Sequence, residues 1–281
     1  MEMRPSKVLD KLRAGEVVSC IKINTSDSIA VEIAGMSGFD CAWLDMEHVP
    51  SDYSVIGKQI LAGKATGIDV MVRVSRGAYS NHIKPLELDA SGIMVPHIMS
   101  LEDAKNVVRM TRFHPVGRRP ADGGNADGAY CMIDFKDYIK QANKNRFVMI
   151  QIEDPEPLAE LDEICALDGI DAIFFGPGDF SQGIGTPGEF DNPELIRTRE
   201  LVAKTAIKHG KFAGTVGSPA NLDSLVDMGY RFISAGADVV ALSQYFAGIV
   251  PSFTQKNQEF KKAKQEAARS VKAPGRSIYS A

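Results

Sequence analysis

No stretch of this chain approaches the roughly 18 consecutive apolar residues needed to cross a bilayer. A membrane-spanning helix is therefore not expected. The opening segment, "MEMRPSKVLDKLRAGE", lacks the apolar core of a signal peptide, and the cytoplasm is the expected location. Cysteine is scarce. Cys20, Cys41, Cys131 and Cys165 form no CxxC pair and match no zinc-ribbon spacing. Cys20 and Cys41 sit in apolar, strand-like runs and read as small core residues. Charge of one sign is also missing: 32 Lys and Arg face 36 Asp and Glu, a formal net charge of −4. The whole molecule offers no electrostatic footprint for nucleic acid. Neither a GxGxxG fingerprint nor a Walker loop is present.

What is present is ordinary globular composition, 44% hydrophobic and 24% charged over 281 residues, enough for a large core. Short apolar runs alternate with longer amphipathic stretches. The runs are "VVSCIKI" (17–23), "CAWLD" (41–45), "DVMVRV" (69–74), "GIMVP" (92–96), "FVMIQIE" (147–153), "AIFFG" (172–176), "KFAGTV" (211–216) and "RFISAG" (231–236). Continuous apolarity marks strands buried on both faces, as in parallel sheets covered by helices. Between them, 27–38, 100–113, 157–167, 192–210 and 218–229 carry apolar residues at three- and four-residue intervals. Several open with Asp, Ser or Asn and close at Gly. Eight βα units predict an α/β fold, a (β/α)8 TIM barrel. A doubly wound sheet is the alternative, although it usually has fewer strands and here lacks its nucleotide fingerprint. The expected division is a barrel domain over 1–254 and a polar, basic tail over 255–281. That tail holds seven Lys or Arg against two Glu and reads as a solvated helix with a frayed end. One long connection, "VGRRPADGGNADGAYCMIDFKDYIKQANKN", interrupts the rhythm and reads as functional or interfacial.

In such a barrel the active site lies where the strands end. Strand 2 ends in Asp45, Glu47 and His48, strand 3 carries Arg73, strand 5 ends in Gln151, Glu153 and Asp154, and "GPGDFSQGIG" after strand 6 holds Asp179. Any one of these reads as an ordinary strand end. Arg73 and Glu153, each following a buried run, demand partners. Two carboxylates supply oxygen ligands suited to a hard divalent cation and leave positions for water and substrate. His48 then reads as a base, its ordinary pKa lying at about 6.5. Gly176 and Gly178 permit close approach of backbone N–H groups to an anion, although a purely structural turn explains them equally well.

With those residues in view, the chain resembles the metal-dependent (class II) pyruvate aldolases of the HpcH/HpaI family over about residues 5–250. "GFDCAWLDMEHVPSD", "VMVRV", "GIMVPHI", "VVRMTRFHPVGRR", "QIEDPEPLAELDEI", "GIDAIFFGPGDFSQGIG" and "GYRFISAGADVVAL" follow the family's motifs in order. The resemblance implies a TIM barrel with metal ligands Glu153 and Asp179, catalytic His48 and carbonyl-binding Arg73. It places a rim carboxylate at Asp45 and puts Gln151 at the substrate site. Backbone amides of Gly178 and Asp179 would hold the substrate carboxylate. An ungapped count from Arg73 places Glu87 as the carboxylate orienting His48. The implied cofactor is Mg²⁺, Mn²⁺ or Co²⁺. The implied reaction is reversible cleavage of a 4-hydroxy-2-oxo acid to pyruvate and an aldehyde.

Two other functions remain open at this stage. One is a related lyase or decarboxylase acting on oxaloacetate or an acyl-CoA. The other is a non-catalytic metal- or carboxylate-binding barrel, which has no use for His48 and Arg73. A Schiff-base route would use Lys22. The segment "GRRPADGGNADGAYC" replaces a shorter family loop, and Arg118 and Arg119 are candidates for meeting an acidic substrate tail. The resemblance further implies a homo-oligomer, a hexamer in many members, with a C-terminal helix exchanged through 237–254.

Overall fold

The computed structural model describes residues 1–271, with side chains through 269. Eight strands form a closed barrel in chain order, every pair parallel. They are β1 (Val18–Ile23), β2 (Cys41–Asp45), β3 (Asp69–Arg73), β4 (Gly92–Val95), β5 (Phe147–Ile152), β6 (Ala172–Phe175), β7 (Phe212–Gly217) and β8 (Phe232–Ala237). All eight lie within the apolar runs of the sequence. The doubly wound alternative is excluded by closure of β1 on β8.

Alternation along each strand sorts side chains to two cores. Ala42, Leu44, Val70 and Val72 point outward into the shell shared with the helices. Cys41, Trp43, Met71, Met94, Met149, Phe174 and Phe232 point inward and fill the barrel. The short helix Lys7–Arg13 adds Val8, Leu9 and Leu12 to that inner cluster. Space inside is tight: a Cβ on Gly92 would meet the Phe147 ring at 2.3 Å, so this position accepts only glycine. Helix starts follow the capping logic. Asp27 accepts from Ile29 N, Asp52 from Ser54 N and Val55 N, and Ser100 from Asp103 N.

Met1–Asp238 form one compact unit, and a second begins at Val239. A single helix runs over Asp238–Val271, across the expected 254/255 boundary. The helical reading of the tail thus applies up to 271, and its expected fraying lies outside the described residues. Among the described residues, no helix is long and apolar enough to cross a membrane.

Candidate active site

Above the apolar filling of the barrel, the inward positions turn ionic. Asp45 and Arg73 are register partners at the ends of β2 and β3, so their side chains emerge side by side. Arg73 donates from Nε to Asp45 Oδ1 at 3.0 Å and from Nη2 to Oδ2 at 2.5 Å. Lys22, inward on β1, brings Nζ within 2.8 Å of the same Oδ2. The amides of Glu47 and His48 donate to Oδ1 at 3.0 and 3.4 Å. Burial alone would raise the Asp45 pKa, but the Arg73 and Lys22 hydrogen bonds and charges hold it well below the usual carboxylate range. A buried ion pair needs this degree of satisfaction to persist. The Arg73 guanidinium and the Lys22 ammonium lie 4.9 and 5.1 Å from the Trp43 ring centroid, a cation–π arrangement. Lys22 is thus engaged as a counter-ion.

Glu47 joins the parts of the site. Its Oε2 lies 3.0 Å from Arg73 Nη1, a charge contact without hydrogen-bond alignment. The same oxygen is 3.6 Å from His48 Nε2, and Oε1 is 3.6 Å from His97 Nε2. His48 is 57% exposed, a rim imidazole open to incoming substrate.

Glu153, just beyond β5, is completely buried. It accepts from His97 N at 2.9 Å and from Gln151 Nε2. Burial pushes its pKa up to about 7, countered by the His97 amide and charge and reinforced by the charges of Asp179 and Glu47. Asp179 sits in the first turn of the helix Pro177–Gly183, where backbone N–H groups lack intrahelical acceptors. One ligand atom each from His97, Glu153 and Asp179 lie within 4.8 Å of one another. Gln151 Oε1 is buried and has no partner. A Cβ on Gly176 would come within 2.6 Å of Glu153 Oε2 and 2.8 Å of Gln151 Nε2, so glycine keeps this cradle open. Carboxylate and imidazole donors around an unsatisfied buried amide fit a divalent cation.

The structure therefore brings Asp45, Arg73, Glu153, Asp179 and Gln151 to the strand ends, with His48 and Gly178 on the loops beyond. Gln151 commits its Nε2 to Glu153 rather than pointing that donor at a substrate. Glu87 does not join them. It closes the helix Tyr79–Glu87, which starts at the rim and runs back toward the N-terminal side of the strands. Its neighbours around a cavity are Tyr53, Lys84, Asn125, Ala126 and Tyr130, and the carboxylate beside His48 is Glu47. Burial raises the Glu87 pKa, with Arg119 opposing and Asp127 and Asp122 adding to the rise.

Arg119 also departs from expectation. It is buried, donates to Asp127 at 2.7 Å and stacks 4.7 Å from the Phe113 ring centroid. It fastens the long loop and is not free to meet a substrate, whereas Arg118 is exposed. Sequence reasoning missed His97. Its signal was position: it is the first ionisable residue after β4, the same logic that singled out Asp45 and Glu153.

Comparison with known proteins adds a lineage. The profile of the HpcH/HpaI aldolase/citrate lyase family matches residues 21–244. A 5-keto-4-deoxy-D-glucarate aldolase from Escherichia coli O157:H7 is 30% identical over 254 residues, 90% of this chain and 95% of the relative. Its namesake from Enterobacter sp. strain 638 is 30% identical over 255 residues, with the same coverage of each chain. Among solved structures, the HpcH/HpaI aldolase from Desulfitobacterium hafniense superposes with a TM-score of 0.82 at 27% identity, covering 87% of this chain and 95% of that one. The citrate synthase SbnG gives 0.81 at 25% identity, covering 90% and 99%. With its closed eight-stranded barrel and a family match spanning most of its length, the chain belongs to the HpcH/HpaI aldolase/citrate lyase family.

Proposed function

We propose that the protein is a metal-dependent aldolase that reversibly cleaves a 4-hydroxy-2-oxo acid to pyruvate and an aldehyde. The observation that carries this reading is Glu47, whose two oxygens reach Arg73, His48 and His97. One carboxylate thereby ties the cationic group, the exposed imidazole and the metal-ligating cluster into a single site. The aldolase names of the relatives support a 2-keto-3-deoxy sugar acid or a 4-hydroxy-2-oxo diacid as substrate.

Glu153 and Asp179 would hold the divalent cation, Mg²⁺, Mn²⁺ or Co²⁺, which when bound supplies Lewis-acid polarisation of the 2-oxo group. Gln151 fixes the Glu153 carboxylate by donating to it. First-turn amides of Gly178 and Asp179 face the substrate carboxylate. Arg73 donates to the 2-oxo oxygen, held in aim by Asp45. His48, through water, accepts the proton of the 4-hydroxyl. As that proton leaves, the C4 oxygen forms a carbonyl and the C3–C4 bond breaks. Its electron pair passes into the C2–C3 enolate, whose oxygen charge Arg73 stabilises. Return of the proton to C3 completes pyruvate, and the aldehyde departs. Glu47 positions His48 in this scheme, the part the sequence had assigned to Glu87.

The reading extends to the setting. All four cysteines are free, which suits a reducing cytoplasm. The helix Asp238–Val271 exposes Tyr245, Phe246, Val250 and Phe253, which supports a homo-oligomer, with a hexamer as the specific expectation. Light scattering on the purified chain tests that assembly.

The deciding experiment incubates metal-stripped protein with pyruvate, a panel of sugar-derived and dicarboxylic semialdehydes, and each of the three cations. Products are read by mass. A condensation product that requires added cation is expected. Full activity in excess EDTA would defeat the metal assignment, and oxaloacetate consumption with no aldehyde reaction would favour the decarboxylase reading.

A further inference from the structure

We infer that His97 is a third protein ligand of the cation, through Nε2, with Asp154 as the residue that fixes its ring. This rests on the metal-site reading above and deepens it. The imidazole belongs to the convergent cluster, its ligand nitrogen within 4.8 Å of both the Glu153 and the Asp179 oxygens. Nδ1 lies 2.8 Å from Asp154 Oδ2. A carboxylate at that distance takes the Nδ1 proton, which leaves the lone pair on Nε2. Metal-bound histidines share this arrangement, one nitrogen on the metal and the other donating to a carboxylate.

The backbone enforces the placement. His97 follows β4 with φ 49°, a left-handed conformation uncommon for a side-chain-bearing residue. Its own amide is consumed by Glu153 Oε1 at 2.9 Å. The main chain and the side chain of one residue thus serve one cluster, main chain to Glu153 and ring to Asp154. Gln151 gives an independent indication of a missing occupant. It is 3% exposed, donates to Glu153, and keeps its buried Oε1 without a partner.

A donor set of two carboxylates and one imidazole differs in preference from an all-oxygen set. Imidazole suits later first-row ions, while Mg²⁺ favours oxygen and water. The consequence is selectivity: this site takes Mn²⁺ or Co²⁺ in preference to Mg²⁺, and His97 is the residue responsible.

The test uses the full chain stripped of metal, with Mn²⁺ alone as the probe. Electron spin echo spectra of the Mn²⁺ form, with natural-abundance and ¹⁵N-histidine protein, read nitrogen ligation directly. Wild type should show a histidine nitrogen coupling that His48→Gln retains and His97→Gln loses. Titration should show Mn²⁺ affinity falling about tenfold or more in His97→Gln and in Asp154→Ala, the scale of an orienting partner's removal. Mg²⁺ affinity should fall less than Mn²⁺ affinity. Because the isotope comparison is made on wild type, a misfolded His97 variant does not rescue the inference.

Absence of histidine coupling in wild type overturns it, as does coupling lost with His48→Gln and kept with His97→Gln. Glu153→Ala and Asp179→Ala separate the two levels. If both bind Mn²⁺ as wild type does, the metal-site reading and this inference fall together. If both lose binding while His97→Gln keeps wild-type affinity and coupling, only the role of His97 falls.

Discussion

Arg73 and Asp45 meet across the β2–β3 pair in a two-pronged contact, Nε to Oδ1 at 3.0 Å and Nη2 to Oδ2 at 2.5 Å. The contact locks the guanidinium plane, so the remaining nitrogen, Nη1, is turned toward Glu47 and the site. An oxyanion donor pre-aimed in this way needs no reorganisation as charge develops. Arg73→Ala should therefore lower kcat by about 10² or more. Arg73→Lys should restore little of it, since an ammonium cannot reproduce the planar fork. Steady-state kinetics on both variants check this, and a rate within a few-fold of wild type for Arg73→Ala would remove it from the chemistry.

Asp45 couples that geometry to stability. Asp45→Asn leaves the Arg73 and Lys22 charges buried beside a neutral partner, and should cost about 3–5 kcal/mol at neutral pH. The pH response carries a sign. The folded-state pKa of Asp45 is depressed, so its stabilisation is fully present above the ordinary Asp value of about 3.9. It is lost as pH falls from there through the lower native value. Urea midpoints measured from pH 5 downward should fall more steeply for wild type than for Asp45→Asn. Parallel slopes would contradict the assignment.

Glu153 and Asp179 carry the cation in the proposed scheme. Glu153→Ala and Asp179→Ala should each abolish metal-dependent cleavage, and EDTA should silence the wild type until cation is restored. Pyruvate release monitored through a chelation and re-addition cycle reads the outcome.

Glu47 predicts a different pattern. Glu47→Gln keeps the shape and removes the charge that faces Arg73, His48 and His97. Activity should fall about tenfold or more, the scale found for residues that orient a ligand or base. The loss should appear in kcat, because Glu47 positions the imidazole without binding substrate. An effect confined to KM would reassign Glu47 to substrate binding.

Gly176 offers a steric test with no change of charge. Its φ of −97° suits any residue, but an alanine Cβ would crowd the Glu153 and Gln151 side chains. Gly176→Ala should therefore weaken cation binding while leaving the melting temperature nearly unchanged. Equal loss of both would point to a fold defect.

The barrel was legible in the sequence because its strands are buried on both faces. "CAWLD" and "AIFF" read as continuous apolar runs, and both became strands, Cys41–Asp45 and Ala172–Phe175. The helices Tyr53–Thr66 and Tyr79–Glu87 were harder to see. Gly57 and Gly63 dilute the first, and Pro85 sits inside the second. Strand-end logic found Asp45, Arg73, Glu153 and Asp179, since register and alternation decide which side chains crown the barrel. Counting residues failed for Glu87, because linear spacing carries no information on which end of a helix faces the rim. Arg119 reads as a surface charge in one dimension, and only the fold reveals its partner, Asp127.

Trp43 is the sole tryptophan of the chain. It lies between the apolar filling and the ionic rim, with two cations against its ring. Indole emission depends on the electric field along the ring. Trp43 is therefore a built-in optical probe at the floor of the site, and an anionic substrate drawing on Arg73 should shift its fluorescence with no label attached.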